Sequence, residues 1–180
     1  MEELKRKAVV LSLLSNMKEE GSWCGETHVQ KCMYFLQEML YVPTEFGFIL
    51  YKHGPFSFEL RDELTAMRVD SLIELQVRSN IYGPSLSPGA LAAALMDRFR
   101  KTLRDYQQGI EFVAKQLSPK GVAELERLAT ALYVTEEEEG VDQAEKGRAL
   151  RLHELKPHVS IEEALAAIKA VDELRLEAPH

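Results

Sequence analysis

The sequence predicts a mainly helical protein with a small β-hairpin, in which a winged-helix-like N-terminal half precedes a helical, helix-turn-helix-like C-terminal half. Three observations carry this prediction. Apolar residues recur at spacings of three and four through most of the chain, the period of a helix with one buried face. The period switches to alternation at Ile73, Leu75 and Val77, with Glu74, Gln76 and Arg78 on the other side. Three helical segments and a short strand come before that switch, which is the winged-helix order.

The first helix is predicted over 3–20, with Val10, Leu14 and Met17 inward, Leu4, Ala8 and Leu11 beside them, and Gly21 as its stop. The second, over 26–41, carries the stripe Val29, Cys32, Met33, Leu36, Met39 and Leu40, and Pro43 closes it. Phe46 to Tyr51 is aromatic and β-branched and reads as a short buried strand. His53-Gly54-Pro55 reads as a turn, because proline fixes φ and glycine permits a sharp change of direction. Ser57 is the expected N-cap of a third helix ending near Val69, with Leu60, Leu64 and Met67 inward. After the alternating segment, Ser79-Asn80 is a turn signal and Ile81-Tyr82 can pair back as a hairpin.

The second half starts with Ser87-Pro88, an N-cap followed by proline at the first helical position. Leu91, Leu95, Phe99, Leu103, Tyr106, Ile110, Val113 and Leu117 extend one helix over 88–117, with Gly109 as a point where it can break. At the helical rise it spans about 45 Å, enough to bridge two halves or to pair two copies as a homodimer. The domain division follows: 1–86 winged-helix-like, 87–180 helical. Ser118-Pro119 repeats the start signal before Val122, Leu125, Leu128, Ala129 and Leu132. Thr135 to Glu138 is either a capping box or an acidic loop. A short helix over 143–155 ends at Lys156-Pro157-His158. Ser160-Ile161-Glu162-Glu163 is a capping box opening the last helix, lined by Leu165, Ile168 and Val171.

Composition narrows the function classes. The 180 residues are 46% hydrophobic, ample for a core, and none of the apolar runs approaches the ~18 residues of a membrane span. The N-terminal segment lacks a signal-peptide pattern, so the expected location is cytoplasmic, without a membrane partner, and Cys24 and Cys32 are expected as reduced thiols. The net charge of −7 leans against a dedicated nucleic-acid binder, which usually presents a basic domain to phosphates.

Two segments carry a family resemblance. Thr27-His28-Val29-Gln30-Lys31-Cys32-Met33-Tyr34-Phe35-Leu36-Gln37 resembles the Gln-Lys helix of the Panacea domain, the SocA-like antitoxin family, and of related YwgA-type bacterial proteins of unknown function. Tyr51-Lys52-His53-Gly54-Pro55-Phe56-Ser57 resembles their Gly-Pro stretch, at a fitting distance along the chain. Leu128 to Tyr133 and Leu155 to Ser160 are similar to the C-terminal part of the YwgA-type proteins. The resemblance implies recognition of a protein partner, a toxin in the antitoxin case.

The candidate sites fit a binding protein better than an enzyme. Serine-hydrolase, phosphate-loop and dinucleotide signatures are absent, so neither a catalytic set nor a cofactor is assigned. Cys24, His28 and Cys32 lie four residues apart, the spacing of metal ligands on one helix side, but Cys32 falls in the apolar stripe and a fourth ligand is missing nearby. Cys24 as a nucleophile with His28 or His53 as base lacks an activating neighbour. The candidate partner-binding set is Trp23, Lys31, Tyr34, Lys52 and His53, around the glycine-proline turn. Lys146, Arg148, Arg151, Lys156 and His158 form the candidate face for nucleic acid or an acidic partner. The leading expectation is therefore a non-enzymatic, antitoxin- or adaptor-type binding protein. A winged-helix DNA-binding regulator is the alternative, opposed by a third helix whose Glu59, Arg61, Asp62, Glu63 and Arg68 sum to −1.

Overall fold

The computed structural model of the chain describes residues 1–77, 83–137 and 144–179. These residues are mainly helical, with two small antiparallel two-stranded sheets. Helix α1 (Glu3–Glu19) buries Val9, Val10, Leu11, Leu13, Leu14 and Met17. Such a helix is apolar on more than one side and needs neighbours on several faces. It has them in α2 (Glu26–Tyr34), α4 (Ala92–Arg98) and α5 (Arg100–Leu117).

Helix α2 buries every residue from His28 to Tyr34 and continues as a π-helical turn, Phe35–Met39. The wider turn is followed by a loop that Gln37 holds in place. Its side-chain carbonyl accepts from the Phe46 N–H and the Thr44 hydroxyl, and its amide donates to the Phe46 carbonyl. The chain then forms β1 (Ile49–Tyr51) and β2 (Gly54–Phe56), paired Ile49 with Phe56 and Tyr51 with Gly54. The expected turn and strand are thereby corrected. The turn is Lys52-His53, while Gly54-Pro55 lies in the second strand, where Pro55, opposite Leu50, has no N–H to offer the ladder. Nor is β1 buried: Ile49 and Tyr51 are exposed, and the burial lies upstream at Phe46.

Helix α3 (Phe58–Val69) begins where its cap predicts, with the Ser57 hydroxyl accepting the Leu60 N–H at 3.2 Å. Strands β3 (Ile73–Gln76) and β4 (Ser85–Pro88) pair antiparallel, Ile73 opposite Pro88. The turn expected at Ser79-Asn80 and the return at Ile81-Tyr82 lie outside the described residues. Ser87-Pro88 closes a strand and does not open a helix. The single helix over 88–117 is likewise corrected: it is two helices, broken at Phe99 (φ −114°, ψ 28°) and not at Gly109. Gly109 stays helical, and Leu40 Cδ1 approaches within 3.2 Å of the place a Cβ would take, so the missing side chain lets the two segments pack closely.

The remaining helices are α6 (Val122–Glu136), α7 (Glu145–Leu155) and α8 (Ile161–Glu177). Thr135 lies inside α6, its hydroxyl donating to the Ala131 carbonyl, so it opens no new helix. Ser160 and Glu163 complete both bonds of the capping box. One buried cluster runs from Val9 to Leu174 and includes residues of both expected halves. Helix α6 is central to the site, touching α2, β2, α7 and α8.

Candidate functional site

Two buried ammonium groups hold the β1–β2 hairpin from below. Lys31 on α2 is 1% exposed, and its Nζ donates to the Pro55 carbonyl at 2.7 Å. Burial lowers its pKa to about 8; the nearby Glu126 carboxylate opposes that shift and Lys156 adds to it. Lys156, just past α7, donates to the carbonyls of Tyr51 (2.8 Å) and Lys52 (2.6 Å). Its pKa is also lowered by burial, against the pull of Glu126. Three hairpin carbonyls thus accept from two cations, and hydrogen bonds from ionised donors are the stronger kind.

The hairpin lies flat on α6 because Gly54 has no side chain. Its φ is +82°, and a Cβ there would meet Thr130 Oγ1 at 3.0 Å and the Glu126 carbonyl at 3.3 Å. At the tip, His53 Nδ1 lies 3.1 Å from Glu126 Oε1. Between the tip, α6 and the α7–α8 turn a cavity of about 90 Å³ opens, lined by Lys52, His53, Glu126, Arg127, Lys156 and His158 among others.

The outer side of the hairpin is aromatic. The rings of Tyr51, Phe56 and Phe58 form a triangle with centroids 5.2 to 6.0 Å apart. Tyr51, Phe58 and neighbouring Ile49 are exposed, and the Arg61 guanidinium lies 5.0 Å over the Phe58 ring.

The expected site residues separate into those the fold gathers and those it does not. Lys52, His53, Lys156 and His158, assigned from sequence to two different faces, line one cavity. Lys31 and Tyr34 are 1% and 3% exposed, so neither is available to a partner at the surface; Tyr34 packs edge-on against Phe35 and Phe48. Trp23 is half-buried, away from this site, its indole N–H donating to the Gly83 carbonyl at 3.0 Å. The basic face on α7 is largely neutralised. Arg148 is buried in a bidentate pair with Asp172 (2.8 and 2.6 Å), and Arg151 pairs with Glu137 and Glu154. Lys146 is exposed.

Cys24, His28 and Cys32 have structural surroundings. His28 Nδ1 lies 3.3 Å from Ser22 Oγ and Nε2 lies 3.1 Å from the Leu117 carbonyl, so both ring nitrogens are engaged. Burial lowers the His28 pKa and raises those of both thiols, Cys32 most. Among the described residues no group of three His, Cys, Asp or Glu is placed to hold a metal ion, and no helix is long and apolar enough to cross a membrane. Sequence reasoning missed Glu126, Thr130, Phe56 and Phe58. The two phenylalanines flank Ser57 inside the glycine-proline segment, a signal that was available; nothing local marks Glu126. No known family model matches the chain, and no curated protein matches it either.

Proposed function

We propose that this chain is a non-enzymatic binding protein that recognises a basic partner protein through the outer face of the β1–β2 hairpin. The observation that carries the reading is the Tyr51–Phe56–Phe58 triangle, with Tyr51 and Phe58 exposed, Phe56 half-buried between them and Arg61 over one ring. Aromatic and arginine side chains dominate interface energetics, because they bring large apolar area with few rotatable bonds. The platform is rigid, its backbone being fixed by Lys31, Lys156 and the flat contact at Gly54. The charge of −7 favours a basic partner by long-range steering. The resemblance to the SocA-like antitoxin family and the YwgA-type proteins points the same way.

In this reading α1 to α3 followed by the β3–β4 pair form a winged-helix-like unit, α6 to α8 form the helix-turn-helix-like part, and the first unit serves protein contact. DNA is the second candidate, favoured by that order of elements. Helix α3 is poorly equipped for it: Arg61 pairs with Asp62, and Glu63 is closed by Arg6. The test is photo-crosslinking from position 51 in the native cell. A single dominant protein adduct, lost when the probe is moved to Leu176 on α8, supports the reading. Adducts to DNA, or none above the Leu176 control, overturn it.

A further inference from the structure

We propose that the cavity between the Lys52-His53 tip, α6 and the α7–α8 turn binds a small oxyanion, a carboxylate or phosphate group. Lys31 and Lys156 are both buried, and the carboxylate acting on both is that of Glu126. That same carboxylate also holds His53. Two like charges taken out of water with one shared counter-charge are costly, and an anion beside Lys156, the one of the two that lines the cavity, offsets part of that cost.

The cavity wall carries the same imbalance. Lys52, Arg127 and Lys156 face Glu126 and Glu163, with the imidazoles of His53 and His158 in addition. Glu163 is already engaged. It accepts from the Ser160 N–H and hydroxyl in the capping box, and Arg127 lies 3.7 Å away. A positive recess in a chain of net charge −7 is thus local and built from three separate elements.

Donors remain. The Lys156 ammonium spends two of its three N–H groups on Tyr51 and Lys52, leaving one. Lys52 and His158 are exposed, and His158 meets the Glu163 carboxylate only at Coulombic range. The size matches too: about 90 Å³ admits a group of a few heavy atoms but falls well short of the ~300 Å³ or more of a typical drug-sized pocket. The site takes a small acid or one anionic head group, and it does not rest on the protein-docking reading.

The test uses the full chain, titrated with sodium phosphate and with sodium acetate, each against sodium chloride at equal ionic strength. Amide and imidazole NMR shifts are followed at 52–54 and 156–159. Saturable shifts confined to these segments, in at least one of the two anions and not in chloride, are expected; the anion that produces them identifies the class. The exposed double variant Lys52→Ala/His158→Ala is expected to weaken the affinity about tenfold or more, the loss of charge-assisted contacts. Its unfolding midpoint in chloride should equal that of the parent. Shifts no larger than those in chloride, or an unchanged affinity in the double variant, would overturn the proposal.

Discussion

Replacing Lys31 by methionine isolates the charge that the fold buries. Lys31 is 1% exposed, and burial brings its pKa from 10.5 to about 8. A tenfold change in proton affinity corresponds to about 1.4 kcal/mol, so the charged form costs the fold about 3 kcal/mol. The sign follows from which state holds the proton. Below about pH 8 both folded and unfolded chains are protonated at Lys31, and the full cost applies. Between about pH 8 and 10.5 the folded chain has released a proton that the unfolded chain still binds, so stability rises with pH. A methionine side chain cannot titrate, and it leaves the Pro55 carbonyl without its donor, a loss of about 1–3 kcal/mol at every pH. At neutral pH the two effects nearly cancel, and Lys31→Met is expected to be close to the parent in stability. From about pH 7 to pH 10 the parent should gain about 2–3 kcal/mol over the variant. Glu126 and Lys156, the charged groups acting on Lys31, are common to both chains and largely drop out of the difference. Guanidinium unfolding in phosphate-free buffers across that range measures it. Stability curves that run parallel would refute the reasoning.

Gly54→Ala forces a side chain into φ +82° against Thr130 and the Glu126 carbonyl, and should destabilise by about 1–3 kcal/mol in the same unfolding assay. Arg148→Met removes the guanidinium held by Asp172, whose carboxylate remains partly wetted; a loss of about 1–3 kcal/mol is expected, read as a lowered thermal midpoint. Cys24 and Cys32 are buried with raised pKa values, so a thiol reagent should label them only at the rate of unfolding, and rapid labelling of the native chain would contradict their placement.

What could be read from the sequence was local. The bounds of α1, α3 and α8 follow from apolar spacing and from the Ser57 and Ser160 caps, whose bonds reach only three residues along the chain. The break at Phe99 was hidden because Leu95, Phe99 and Leu103 keep the helical spacing through it; only the backbone angle at Phe99 departs. Ser87-Pro88 carries the same signal whether it starts a helix or ends a strand, and the strand is decided by its pairing with Glu74 and Ile73, which no local pattern reveals. At the site, Lys52 and His53 were picked out by the glycine-proline turn, and Lys156 and His158 by the basic stretch. Their convergence depends on Lys156 reaching carbonyls more than 100 residues earlier in the chain. The pairing of Arg148 on α7 was hidden for the same reason, since Asp172, which neutralises it, lies on the next helix.

The claim that the hairpin face is a partner surface is tested most directly by calorimetric titration of the purified crosslinked partner against three chains. These are the parent, Tyr51→Ser/Phe58→Ser, and Leu176→Ser as a control on an exposed residue elsewhere. Saturable binding is expected from the parent and from Leu176→Ser, with a loss of about 30-fold or more in the hairpin variant, the scale of an interface hot spot. Equal affinity in the hairpin variant, or binding abolished by Leu176→Ser alone, would contradict the claim.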